Sequence, residues 1–117
     1  MDCIFCKIAA GEIPADLLLD EQGVVAFRDI QPQAPSHVLV VPREHVSSLD
    51  ALADPDLAGQ LLVAAARVAR AEGLSGGWRL IANTGAHGGQ EVEHLHLHVL
   101  GGRPLGRMLS QPSPRTH

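Results

Sequence analysis

The chain has 117 residues, 45% of them apolar and 19% charged, with a net charge of −4. These values describe one globular domain with its own core and exclude a disordered chain. The acidic balance argues against a general nucleic-acid binder, and no apolar run approaches the ~20 residues that span a bilayer.

The N-terminus, Met1-Asp2-Cys3-Ile4-Phe5-Cys6, lacks the basic leader and long apolar stretch of a secretory signal, so a cytoplasmic protein is expected. The two cysteines stand as Cys3-x-x-Cys6. A disulfide is disfavoured in a reducing compartment, and redox motifs of this spacing normally lie between a strand and a helix. The other reading is half of a zinc site, completed by histidines. Residues 3–10 suit a short helix ended by Gly11, with a turn at Pro14. Residues 16–20 and 24–28 suit short strands joined at Gly23. Two prolines make residues 31–35 a loop, and residues 37–41 then suit a buried strand that stops at Pro42. His37 is expected to be a packed strand residue.

The clearest helix opens at Asp54-Pro55-Asp56, an N-cap, a first-turn proline and an acid at the positive end of the dipole. Leu57, Leu61, Ala64, Ala65, Val68 and Ala69 recur on one face, and Gly73 is a plausible stop. Residues 78–83 suit another strand. The glycine-containing run Thr84-Gly85-Ala86-His87-Gly88-Gly89-Gln90 is either a plain connection or a loop that brings backbone N–H groups to a phosphate.

Immediately afterwards come His94, His96 and His98, separated by Leu95 and Leu97 and followed by Val99. Strict alternation predicts a half-buried strand with the apolar residues facing a core and three imidazoles on the other face. Imidazoles two residues apart on a strand lie ~6–7 Å apart, too divergent for all three to share one metal without distortion. Covalent catalysis fits better. The middle imidazole attacks phosphorus while its neighbours orient it and the phosphate. An ordinary imidazole pKa of ~6.5 leaves the ring largely neutral and nucleophilic near pH 7. About five strands, one long helix and one short helix make an α+β domain with an antiparallel sheet, the long helix lying between the third and fourth strands.

The run His94-Leu95-His96-Leu97-His98-Val99-Leu100 resembles the His-x-His-x-His-x-x motif of the histidine triad (HIT) superfamily. Ile4-Phe5-Cys6-Lys7-Ile8, Gly11-Glu12-Ile13-Pro14-Ala15, Ala26-Phe27-Arg28-Asp29-Ile30, Pro32-Gln33-Ala34-Pro35-Ser36-His37 and Gly101-Gly102-Arg103-Pro104-Leu105-Gly106 are similar to its Hint branch. The resemblance covers nearly all of residues 3–109. It implies a homodimer whose two five-stranded sheets join into one, and a purine nucleotide-binding hydrolase of nucleoside phosphoramidates or aminoacyl adenylates.

Residue by residue, the resemblance makes His96 the nucleophile and lets His98 hydrogen-bond the α-phosphate. Asp29 would bind the ribose hydroxyls. Phe5, Ile13, Phe27 and Ile30 would wall the base. Asn83, Gly89 and Gln90 would lie near the phosphate. Glu91 occupies a position where some members carry a serine that assists the leaving group, which puts that serine's role in doubt here. Cys3, Cys6, His45 and His94 match the zinc-binding subset, and two thiolates with two imidazoles make a closed, structural site. The alternatives are a dinucleoside polyphosphate hydrolase of the Fhit type and a nucleotide-binding regulatory protein with incidental catalysis. The domain is expected to span residues 1–109, with 110–117 a loosely ordered tail.

Overall fold

A computed structural model describes residues 3–109; the expected tail, 110–117, lies outside them. The elements in chain order are α1 (Ile4–Ala9), β1 (Leu17–Asp20), β2 (Val24–Arg28), β3 (Ser36–Pro42), a 3-10 turn (Leu49–Ala51), α2 (Pro55–Ala71), β4 (Trp78–Ile81) and β5 (Leu97–Gly101). The strands form one five-stranded antiparallel sheet in the order β1-β2-β3-β5-β4. The expected α+β architecture is present. The 3-10 turn carries no signal that the sequence reading used. β5 inserts between β3 and β4, so the last two strands are not laid down in spatial sequence and β4 becomes an edge.

α2 begins where its capping chemistry dictates. Asp54 Oδ1 accepts from the Asp56 N–H at 2.9 Å, and Pro55 occupies the first turn, where its missing donor costs nothing. Beyond its end, Gly73 takes a φ of +71°. Ala64, Ala65 and Ala69 are buried, and their small side chains let α2 lie close on the sheet.

Alternation within the strands divides the interior into two cores. Val24, Ala26, Val38, Val40, Leu97 and Val99 face α2. Val25, Phe27, Leu39 and Val41 face the opposite way, onto Phe5, Ile8 and Ala9 of α1. β2 and β3 are therefore buried on both faces. Arg43, just after β3, fastens α1 down: Nη1 donates to the Ala9 carbonyl at 2.5 Å, and Nη2 donates to Asp20 Oδ1 at 2.5 Å and the Glu21 carbonyl at 2.7 Å.

Two strand boundaries differ from expectation for one reason. The ladder between β3 and β5 runs from Ser36↔Gly101 to Val40↔Leu97 and no further. Pro42 has no N–H to donate, and its carbonyl accepts instead from His94 Nε2 at 2.8 Å. The Leu95 N–H turns to the Val46 carbonyl, 2.6 Å away. His94 and His96 consequently precede the strand, and only His98 lies within it. β4, expected to reach residue 83, ends at Ile81, whose partner is His98, because the chain opposite it has left the sheet. The facing pattern survives: Leu95, Leu97 and Val99 belong to the α2-side core.

Candidate catalytic and metal sites

The three histidines stand on the α1 side of the sheet, and each ring is held by a different partner. His94 is fully buried at 0% exposure, and its Nε2–H donates to the Pro42 carbonyl. That bond fixes its tautomer and leaves the Nδ1 lone pair pointing at Cys3 Sγ, 3.2 Å away, and Cys6 Sγ, 3.5 Å away. Cys6 Sγ lies 3.4 Å from His45 Nδ1. The four ligand atoms of Cys3, Cys6, His45 and His94 all fall within 4.8 Å of one another. A tetrahedral thiolate–imidazole site places S and N ~3.5 Å apart, so these contacts fit a shared metal ion. Hydrogen bonding of the outer ring nitrogen to a carbonyl is the usual support for such a ligand. Cys3 also caps α1, accepting the Cys6 N–H at 3.4 Å.

His96 is buried, and its Nδ1–H donates to the His94 carbonyl at 2.7 Å. Its Nε2 is therefore the lone-pair nitrogen. Phe5 stands edge-on to this ring with a centroid separation of 5.1 Å, and edge-on to His94 at 5.8 Å. The residue between the two cysteines thus packs against both histidines. Phe27 stands edge-on behind Phe5 at 5.5 Å, and Ile13 packs on the same cluster. Ile30, by contrast, is 92% exposed.

His98 lies 5.0 Å from His96, centroid to centroid, and joins a part-buried hydrogen-bonded chain. The Gln33 N–H donates to His37 Nδ1 at 3.0 Å, so His37 carries its hydrogen on Nε2. That hydrogen points to His98 Nδ1, 2.8 Å away. His98 is left with its hydrogen on Nε2, as an oriented donor. Asp29 Oδ2 lies 3.5 Å from His37 Nε2, and Asp29 Oδ1 accepts the Gln31 N–H at 2.9 Å. Asp29, His37 and His98 also cluster closely enough to suggest a metal. The tautomers argue otherwise, because the His37 nitrogen facing the cluster already bears a hydrogen.

His37 has a role beyond the packing that its strand position predicts. It is 4% exposed and packed, as expected, but it also sets the tautomer of His98. The available signal was an ionisable residue in an otherwise apolar strand. Its facing could not be read without the register that pairs His37 with Leu100.

The glycine loop holds itself together. Gln90 Oε1 accepts the Gly85 N–H at 3.0 Å, and Gln90 Nε2 donates to the carbonyls of Ser47 at 2.7 Å and Val92 at 3.0 Å. The Gly89 N–H closes a turn on Ala86, and Asn83 Nδ2 donates to the Gly88 carbonyl at 2.7 Å. The side chains expected near a phosphate therefore brace the loop, and Glu91 is exposed beside it.

Burial, then the neighbouring His96 and His37, lower the His98 pKa from 6.5 to about 4. Burial also lowers that of His37, against the pull of Asp29. Both rings are neutral in the native protein near pH 7. A depressed histidine pKa means that the unfolded chain binds more protons between the two values, so stability is lost as pH falls through that window. Melting temperature is expected to fall steadily from pH 6.5 toward pH 4, as calorimetry would read; a flat profile would contradict the neutral pair.

The HIT domain family matches residues 10–105. The chain is a HIT-family protein. The purine nucleoside phosphoramidase of Escherichia coli K12 is 48% identical over 112 residues, covering 93% of this chain and 94% of the relative. A histidine triad protein from Clostridium difficile superposes with a TM-score of 0.88 at 45% identity, over 93% of this chain and 97% of that one. A HIT family hydrolase from Legionella pneumophila Philadelphia 1 gives 0.87 at 46% identity, over 90% and 96%. Against this HIT-family background the five-stranded sheet and its single long helix are the shared framework, and the histidine cluster lies on its α1 side.

Proposed function

We propose that this HIT protein hydrolyses purine nucleoside 5′-phosphoramidates through a nucleotidyl intermediate on His96. The observation that carries the reading is the buried His96 ring, whose Nδ1–H is spent on the His94 carbonyl so that Nε2 is free to attack. The E. coli relative's named activity supplies the substrate class.

In the first step His96 Nε2 bonds to phosphorus, the P–N bond breaks, and the amine leaves after taking a proton from solvent water. In the second, water attacks phosphorus and gives up a proton to solvent, the P–His96 bond breaks, and the nucleoside monophosphate is released. His98 Nε2–H donates to a phosphoryl oxygen throughout and stabilises the charge that builds there. It keeps its proton, because His37 could replace it only by giving up its own Nε2 hydrogen, which the Gln33 backbone amide cannot restore. Phe5, Phe27 and Ile13 wall the base, with Ile30 at its rim, and Asp29 takes the ribose hydroxyls. Asn83, Gly89 and Gln90 shape the phosphate loop by bracing it. Glu91 stands on the leaving-group side, where a carboxylate favours a cationic amine.

We assign zinc to Cys3, Cys6, His45 and His94. When bound, it supplies a closed tetrahedral crosslink without an open position for chemistry. A cytoplasmic setting would keep the thiols reduced. The HIT domain is taken as residues 1–109, with α1 part of it because Phe5 and the two cysteines belong to the site.

The homodimer reading draws support from β4. It is an edge strand with Trp78 and Leu80 more than a third exposed, and α2 leaves Leu62 and Val63 exposed. Unpaired edges recruit another strand, here that of a second copy. Sedimentation at a single chain's mass would exclude it.

The test of the reaction is steady-state turnover of adenosine 5′-phosphoramidate against a diadenosine polyphosphate. The phosphoramidate is expected to lead in kcat/KM by about 100-fold, a margin that differential transition-state binding readily supplies. Equal or reversed values would favour a dinucleoside polyphosphate hydrolase. Nucleotide binding with neither turnover would favour a regulatory protein.

A further inference from the structure

Cys3 and Cys6 are the two cysteines of the chain, and both thiols are free. Cys3 is the N-cap of α1, and Cys6 lies in its first turn. Residues three apart on a helix have Cα atoms about 5 Å apart, within the ~4.4–6.8 Å that a disulfide bridges. Cys3 Sγ already turns back over that turn to accept the Cys6 N–H at 3.4 Å. Both sulfurs approach the same nitrogen, His94 Nδ1, at 3.2 and 3.5 Å. Cys6 is partly exposed and Cys3 is buried, so a reagent from solvent meets Cys6 first. Between them in the chain stands Phe5, edge-on to His94 and His96 with centroid separations of 5.8 and 5.1 Å. A bond from Cys3 to Cys6 would close a ring around a residue that packs against His96.

We propose that Cys3 and Cys6 form an oxidation site, a dithiol–disulfide pair that releases the metal and moves Phe5 relative to His96. This rests on the proposed zinc ligation and the proposed base wall. The oxidant is a peroxide. Cys6 Sγ attacks one peroxide oxygen, the O–O bond breaks, and Cys6 becomes a sulfenic acid while the other oxygen leaves and is protonated. Cys3 Sγ then attacks the Cys6 sulfur, the S–O bond breaks, and hydroxide leaves and is protonated. The two thiolates lose two electrons to the peroxide, and solvent supplies the two protons. A disulfide has no negative sulfur to offer, so zinc keeps only His45 and His94 as ligands and dissociates. An external dithiol reverses the bond by exchange, and zinc then returns. In a reducing compartment the disulfide is transient, which suits a sensor rather than a staple.

The test treats the zinc-loaded full chain with hydrogen peroxide and follows three readouts. Intact mass under non-reducing conditions should fall by two hydrogens, and a metal-sensitive dye should report zinc leaving at the same rate. AMP affinity by calorimetry should drop about 3- to 10-fold, the size of one aromatic contact. Zinc added alone should not restore the oxidised protein, whereas zinc with dithiothreitol should. Chelator-stripped protein that was never oxidised should need zinc only, which separates the disulfide from simple metal loss. Oxygen atoms added to either cysteine in place of the disulfide would overturn the proposal. So would zinc retained after the thiols are consumed, a disulfide that leaves AMP affinity unchanged, or a protein that takes up no zinc at all. Every readout is made without turnover, so an inactive enzyme would sink the proposed hydrolysis and leave the oxidation site to be judged by mass, metal and AMP.

Discussion

Replacing His96 with alanine is expected to reduce turnover of a phosphoramidate by about 1,000-fold or more, because the covalent route has no other nucleophile. No other described histidine offers the same geometry. His94 Nδ1 faces the two sulfurs, and His98 Nδ1 is occupied by His37. AMP affinity is expected to stay within a few-fold, since Phe5, Phe27, Asp29 and His98 remain. Titration calorimetry with AMP, alongside kcat/KM, separates the two effects. Rapid turnover in the variant would remove His96 as the nucleophile. Lost binding in a variant that melts normally would mean that the ring holds the nucleotide rather than attacking it.

The second large effect is expected at His94. Alanine there removes a proposed metal ligand, the bond to Pro42 and a fully buried ring. The cavity and the unpaired carbonyl together are expected to cost about 3 kcal/mol. For a domain of this size that is roughly 12 °C in Tm. Stripping the metal with a chelator should lower Tm in the same direction without altering the chain, and it should lower kcat as well. The link to catalysis runs along two routes. The His94 carbonyl holds His96 Nδ1, and Phe5, packed against both rings, rides on the helix that the two cysteines anchor. Unchanged melting and unchanged kcat after verified metal removal would leave the four-residue cluster without a structural role.

Local rules account for most of what was legible. α2 begins at its cap, and β2 and β3 announce themselves by apolar runs bounded by Gly23 and Pro42. Cys3 and Cys6 could be paired with His45 and His94 only through family resemblance, since nothing in a linear chain brings residues 3 and 94 together. What escaped was set by long-range pairing. His94 and His96 fall before β5 because Pro42 cannot extend the ladder and the His94 side chain takes the Pro42 carbonyl. Gln90 turned out to brace its own loop, a use that depends on Ser47 arriving from elsewhere in the chain. His37 looked like packing because its partner, His98, lies 61 positions away.

The split of residues 94–99 into two facing sets also bears on how such a segment can drift. Leu95, Leu97 and Val99 belong to the α2-side core, where aliphatic exchange at constant volume is cheap. His94, His96 and His98 answer, in the proposed roles, to metal, phosphorus and phosphate. The two sets share a backbone but face opposite sides of it, so mutations can accumulate in one with little effect on what the other will accept. An insertion or deletion of one residue has no such freedom. It would exchange the sets wholesale, placing imidazoles against α2 and leucines over the nucleotide. Lineages can therefore reshape this core one substitution at a time, while the length of the segment stays locked.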